Sequence, residues 1–122
     1  LACAAANASI TILKSKKCIA QIEMICEQHK KFTYTIANNP SVKNIQQQGT
    51  ILAIELNTNE NTSYFNAIRD LVYNFFLEKG ILLRPLGNVV YIMPPYCITK
   101  KELNKIYSSI TELLLHLKNK LS

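Results

Sequence analysis

The chain has 122 residues, enough for one domain with a real core and too few for two. Nearly half the residues are apolar (48%), yet no run reaches the length of a membrane span, and the opening Leu1-Ala2-Cys3-Ala4-Ala5-Ala6-Asn7-Ala8 lacks the basic leader of a signal peptide. The net charge of +6 comes from lysines scattered singly and in pairs beside abundant asparagine and isoleucine, as AT-rich coding would give, so it reads as solvated surface and not as a nucleic-acid face.

Residues 2 to about 14 are alanine-rich and close on Ile10, Ile12 and Leu13, which predicts a helix. With an apolar opening, no cap and no initiator methionine, the chain is expected to start inside an element and to be a piece of a longer protein. Cys18 to about Lys31 sets Ile19, Ile22, Ile25 and Cys26 at helical spacing, predicting a second, amphipathic helix. Asn38-Asn39-Pro40-Ser41 is a turn. Val42 to Gln48, Gly49, and the strongly apolar Thr50 to Leu56 read as two strands in a hairpin-like pair.

Asn57 to Asn61 is a polar loop, with Thr62 or Ser63 available as a cap. Tyr64, Phe65, Ile68, Leu71, Val72, Phe75 and Phe76 form one wide apolar helical face, which Gly80 ends. Two short strands are expected around Ile81 to Leu83 and Val89 to Met93. Thr99-Lys100-Lys101-Glu102 is a capping box opening a last helix that carries Leu103, Ile106, Tyr107, Ile110, Leu113, Leu114 and Leu117 on one side. The expected class is α+β, with helices packed on a small, mainly antiparallel sheet.

The chemistry concentrates in Arg84-Pro85-Leu86-Gly87 and the strand after it. Pro85 disfavours a helical backbone at Arg84, and Gly87 allows a tight reversal into the next strand. A guanidinium fixed there matches a ligand carboxylate in two-point fashion. The residues alone leave a second role open, a surface ion pair with Glu78 or Asp70, and such pairs are the commoner arrangement. Tyr91 is read as a core ring whose hydroxyl reaches a backbone partner. Pro94-Pro95 ends its strand by removing two donors.

His29 and His116 are expected at the surface or its boundary, and Glu55 is free to pair with a base that the sequence does not name. Cys3, Cys18, Cys26 and Cys97 have no paired spacing; Cys26 and His29 do not make a zinc site, so no metal is expected. All four cysteines read as small buried hydrophobes of a reducing compartment, by default the cytoplasm. No Gly-rich phosphate loop, HExxH or Ser–His–Asp order is present. On residue pattern alone the chain lacks an obvious reactive centre, and a non-enzymatic basic α+β interaction module stays open as an alternative.

Three blocks add to this. Leu1 to Ser9, Gly49-Thr50-Ile51-Leu52-Ala53-Ile54-Glu55-Leu56, and Arg84-Pro85-x-Gly87-x-x-x-Tyr91-x-Met93-Pro94-Pro95-Tyr96 resemble, in the same order, blocks of one branch of the class III pyridoxal-phosphate aminotransferases, the first block being shared across the class. The last block resembles most closely the adenosylmethionine–8-amino-7-oxononanoate branch, and the likeness covers essentially the whole chain. Sister branches acting on ornithine or 4-aminobutyrate tend to carry arginine three positions before Pro-Pro, where this chain has Tyr91. The resemblance implies the C-terminal small domain of a type I pyridoxal-phosphate fold, with residues 1–35 a helical connector and 42–122 an αβ domain. It implies a homodimer that moves an amino group from S-adenosylmethionine to 8-amino-7-oxononanoate in biotin biosynthesis. Arg84 would bind the keto-acid carboxylate and Tyr91 would line the same site. The Schiff-base lysine and the residues holding the cofactor would precede Leu1, leaving no catalytic or cofactor-binding residue in this chain and the piece inactive alone. The small domain of another class III aminotransferase is the alternative within the family.

Overall fold

The computed structural model describes residues 1–57 and 68–121, the side chains as far as Lys118. In chain order these form α1 (Ala2–Leu13), α2 (Lys16–Ile36), β1 (Val42–Gln48), β2 (Ile51–Leu56), α3 (Ile68–Glu78), β3 (Val89–Ile92) and α4 (Lys100–Leu121). The loop expected beyond Asn57, the caps at Thr62 or Ser63, and Tyr64 and Phe65 lie outside the described residues.

Alanine propensity carries α1, which buries none of its side chains and leaves Ile10, Ile12 and Leu13 exposed. Ser15 ends it and starts the next helix: its hydroxyl donates to the Ile12 carbonyl at 2.7 Å and accepts from the Cys18 amide at 3.2 Å. That cap moves the start of α2 two residues ahead of the expected Cys18. The helix also runs to Ile36, five residues past Lys31, because Ile25, His29, Phe32 and Ile36 form a buried stripe at helical spacing. Burial overrides the weak propensity of Thr33, Tyr34 and Thr35.

The sheet has the order β1-β2-β3, antiparallel throughout. Gly49 takes the positive φ (55°) that a two-residue hairpin turn asks of its first residue, so Thr50 sits in the turn and β2 begins at Ile51. Along β2 and β3 the period-two rule sends Leu52, Ile54, Leu56, Val90 and Ile92 into the core. Tyr91 therefore stands on the opposite face, half-buried and directly across from Ala53. Val72 and Phe76 of α3 and Leu103, Ile110, Leu113 and Leu114 of α4 complete that core.

Gly80 closes α3 with two reverse bonds, its own amide to the Leu77 carbonyl and that of Ile81 to the Phe76 carbonyl, each 2.9 Å, at φ 69°. The strand expected over Ile81 to Leu83 is absent. Leu86 exchanges two 2.9 Å backbone bonds with Val89 around Gly87-Asn88, but Pro85 has no amide to carry the ladder further. The capping box forms as expected: the Thr99 hydroxyl accepts from the Glu102 amide (3.2 Å), and the Glu102 carboxylate accepts from the Thr99 amide (2.8 Å).

Candidate functional site

Arg84 leaves the chain between buried Leu83 and buried Pro85, so its backbone is anchored on both sides while its side chain is exposed. Tyr91, on the outer face of β3, lies on the same concave surface. The two residues border a cavity of about 530 Å³ whose other walls are Arg69, Asp70, Tyr73, Pro85 and Leu86. They also border a larger one of about 680 Å³, running past Ile81–Leu83 and Met93–Pro95 to Lys105.

Among the described residues Arg84 has no carboxylate within ion-pairing distance. The surface pair that sequence left open is not formed: Asp70 instead receives both Nε (3.0 Å) and Nη2 (2.8 Å) of Arg69 on one oxygen, and Glu78 is exposed. The expected backbone partner of the Tyr91 hydroxyl is also missing among the described residues. A planar cationic donor and a phenol therefore face one cleft with their polar ends free, an arrangement that suits a carboxylate on an otherwise apolar ligand. Glu102, which borders the larger cavity, is committed to the α4 cap; the Thr99 bonds hold its carboxyl below the usual range.

Sequence reasoning missed Arg69 and Tyr73, and offered Asp70 only as an ion-pair partner for Arg84. One signal for them existed, since Arg69 and Tyr73 are four apart and share a helix face next to the Val72–Phe76 core stripe.

Several other expectations are corrected. His29 is not a boundary residue but wholly buried, with Nδ1 2.7 Å from the Tyr107 hydroxyl and Nε2 2.9 Å from the Thr50 carbonyl. Burial lowers its pKa, and the Thr50 contact partly offsets this. His116 is exposed, as expected. The cysteines are not buried hydrophobes: Cys3 and Cys97 are exposed, and Cys18 and Cys26 are half-buried. Among the described residues no cluster of three His, Cys, Asp or Glu converges, and no helix is long and apolar enough to cross a membrane. Glu55 finds its base in Lys43, 2.8 Å away.

The family model for aminotransferase class-III matches residues 1–114. The adenosylmethionine-8-amino-7-oxononanoate aminotransferase of Synechococcus elongatus is 38% identical over 114 residues, covering 93% of this chain and 26% of its own length. The enzyme of that name from Buchnera aphidicola (subsp. Acyrthosiphon pisum) is 33% identical, with 93% and 25% covered. Among solved structures, the adenosylmethionine-8-amino-7-oxononanoate aminotransferase of Methanocaldococcus jannaschii superposes with a TM-score of 0.74 at 30% identity, over 90% of this chain and 27% of that one. The ornithine aminotransferase of Toxoplasma gondii gives 0.77 at 25% identity, over 98% and 28%. The chain thus spans about a quarter of the length of the relatives it matches. Its α+β architecture is that of the corresponding part of these aminotransferases.

Proposed function

The chain belongs to the class III aminotransferase family, and from that premise we propose that it is the substrate-recognising part of an adenosylmethionine–8-amino-7-oxononanoate aminotransferase. The whole protein would move an amino group from S-adenosylmethionine to the keto acid, giving 7,8-diaminononanoate for biotin synthesis, as a cytoplasmic homodimer using pyridoxal phosphate. Residues 1–35 are then the helical connector, anchored through Ile25, His29 and Phe32, and 42–122 the small domain.

One observation carries this reading: Arg84 and Tyr91 line one cleft, and neither polar end has a partner among the described residues. A buried ion pair would have made Arg84 structural. A free fork at a rigid position is instead ready for the carboxylate of an incoming substrate, and Tyr91 walls the aliphatic part beside it. Pyridoxal phosphate, when bound, carries the amino group between donor and acceptor. The described residues do not fit it. The one lysine of the cleft among them, Lys105, is exposed beside Gly80, and the α4 N-terminus is already capped by Glu102, so it offers no open anion site. Binding and orienting the acid end are the roles left to this chain, which should be inactive by itself.

The test is Arg84→Ala in the full-length protein. Losing charge-assisted hydrogen bonds worth roughly 1.5–3 kcal/mol should raise KM for the keto acid about 10- to 150-fold, with cofactor affinity unchanged. An unaltered KM would refute the assignment. A screen of diamines and amino acids as acceptors separates this branch from its sisters.

A further inference from the structure

Lysine fills 12 of the 14 cationic positions of this chain, and both of its arginines, Arg69 and Arg84, border the same 530 Å³ cavity. Where composition favours lysine so strongly, an arginine marks a place where a planar, multi-donor head does what an ammonium does not. Arg69 comes from the first turn of α3 and Arg84 from the segment before β3, so two separate elements bring their guanidinium-bearing chains to one concavity.

The bland account of Arg69 is its pair with Asp70. That pair is exposed, at 44% and 73% of the two side chains, and joins neighbours in sequence. Such a contact adds little stability. Its geometry is more informative. Nε and Nη2 converge on a single Asp70 oxygen, so the head is held from one side and the Nη1 edge is left without a partner among the described residues. Tyr73, one turn further along α3, also lines the cavity and is half-buried.

We infer that Arg69, oriented by Asp70, is a second carboxylate-recognition residue of the cleft, a specificity determinant acting with Arg84 on the acid end of a medium-chain aliphatic carboxylate. This rests on the reading of the cleft as the acid-binding site. The Nη1 edge of Arg69 and the fork of Arg84 would then approach one carboxylate from two walls, and a neutral amide or ester end would offer a single uncharged acceptor and weaken both contacts.

The experiment is calorimetric binding of nonanoate and of nonanamide to the full-length protein, for wild type, Arg69→Ala, Arg69→Lys and Arg84→Ala, with melting temperatures alongside. Binding of these probes is independent of turnover. Arg69→Ala should weaken nonanoate about tenfold, the effect of one charge-assisted hydrogen bond. Nonanamide binding and the melting temperature should hardly change. Arg69→Lys should recover only part of the loss, and added guanidinium should restore Arg69→Ala. If Arg84→Ala weakens nonanoate but Arg69→Ala does not, the inference is wrong and the acid-binding role of Arg84 stands. If neither does, both fall. Equal weakening of acid and amide by Arg69→Ala would also overturn the inference, because it would mark a structural role.

Discussion

Replacing Tyr107 by phenylalanine removes one oxygen from the middle of the core and should destabilise the protein more than its size suggests. The Thr50 carbonyl can only accept, so the proton of His29 is on Nε2, and Nδ1 of the neutral ring accepts from the Tyr107 hydroxyl at 2.7 Å. Phenylalanine keeps the ring that stacks on Phe32, with centroids 4.4 Å apart, and opens no cavity of consequence. What it leaves is an acceptor on a fully buried histidine with no donor. That costs about 1–3 kcal/mol, or a melting-temperature loss of roughly 4–12 °C at about 4 °C per kcal/mol. The same histidine makes stability depend on pH. Its folded pKa lies below 6.5, so the unfolded chain binds a proton that the native state refuses. The contribution is fully present above 6.5 and is lost as pH falls below it, with a slope of at most about 1.4 kcal/mol per pH unit. Urea unfolding followed by circular dichroism at about pH 7.5 and about pH 5.5 measures both effects, with His29→Gln as the control that should flatten the slope. A Tyr107→Phe protein as stable as wild type at the higher pH, or a slope unchanged in His29→Gln, would refute this account of the core.

Other consequences are simpler. Gly80→Ala forces a side chain into a φ of 69° at the end of α3, with the Lys105 ammonium 3.8 Å from the new methyl; it should cost about 1 kcal/mol of unfolding free energy, read as a lower denaturant midpoint. Thr99→Ala removes the cap of α4 and should cost about 1 kcal/mol, whereas Thr99→Ser should recover most of it. Phe76→Ala empties a wholly buried site beside Val72 and should cost about 3–5 kcal/mol, which urea unfolding reads directly.

Much of this architecture could be read from residue patterns where local and tertiary forces agree. The hairpin about Gly49, the Gly80 stop and the Thr99 capping box each satisfy their own backbone groups, so sequence spacing was enough. Failures came where long-range burial or pairing decided. Residues 32–36 have poor helix propensity and are helical because Phe32 and Ile36 reach the core. Residues 81–83 have the composition of a strand but no ladder, since Pro85 withholds the next donor. The burial of His29 is not legible locally, because its partners, Thr50 and Tyr107, lie 21 and 78 residues away. The candidate site was half legible. Arg84 and Tyr91 sit in a motif that can be recognised locally, while Arg69 and Tyr73 reach the cleft only through the docking of α3.

Whether Arg84 reads a carboxylate is decided by one comparison. Binding of 8-amino-7-oxononanoate and of its neutral methyl ester should be measured by calorimetry on the full-length protein, wild type and Arg84→Ala. Wild type should prefer the free acid by about tenfold or more, and Arg84→Ala should erase this preference while leaving ester binding nearly unchanged. A preference for the acid that survives Arg84→Ala would mean that another group binds the carboxylate.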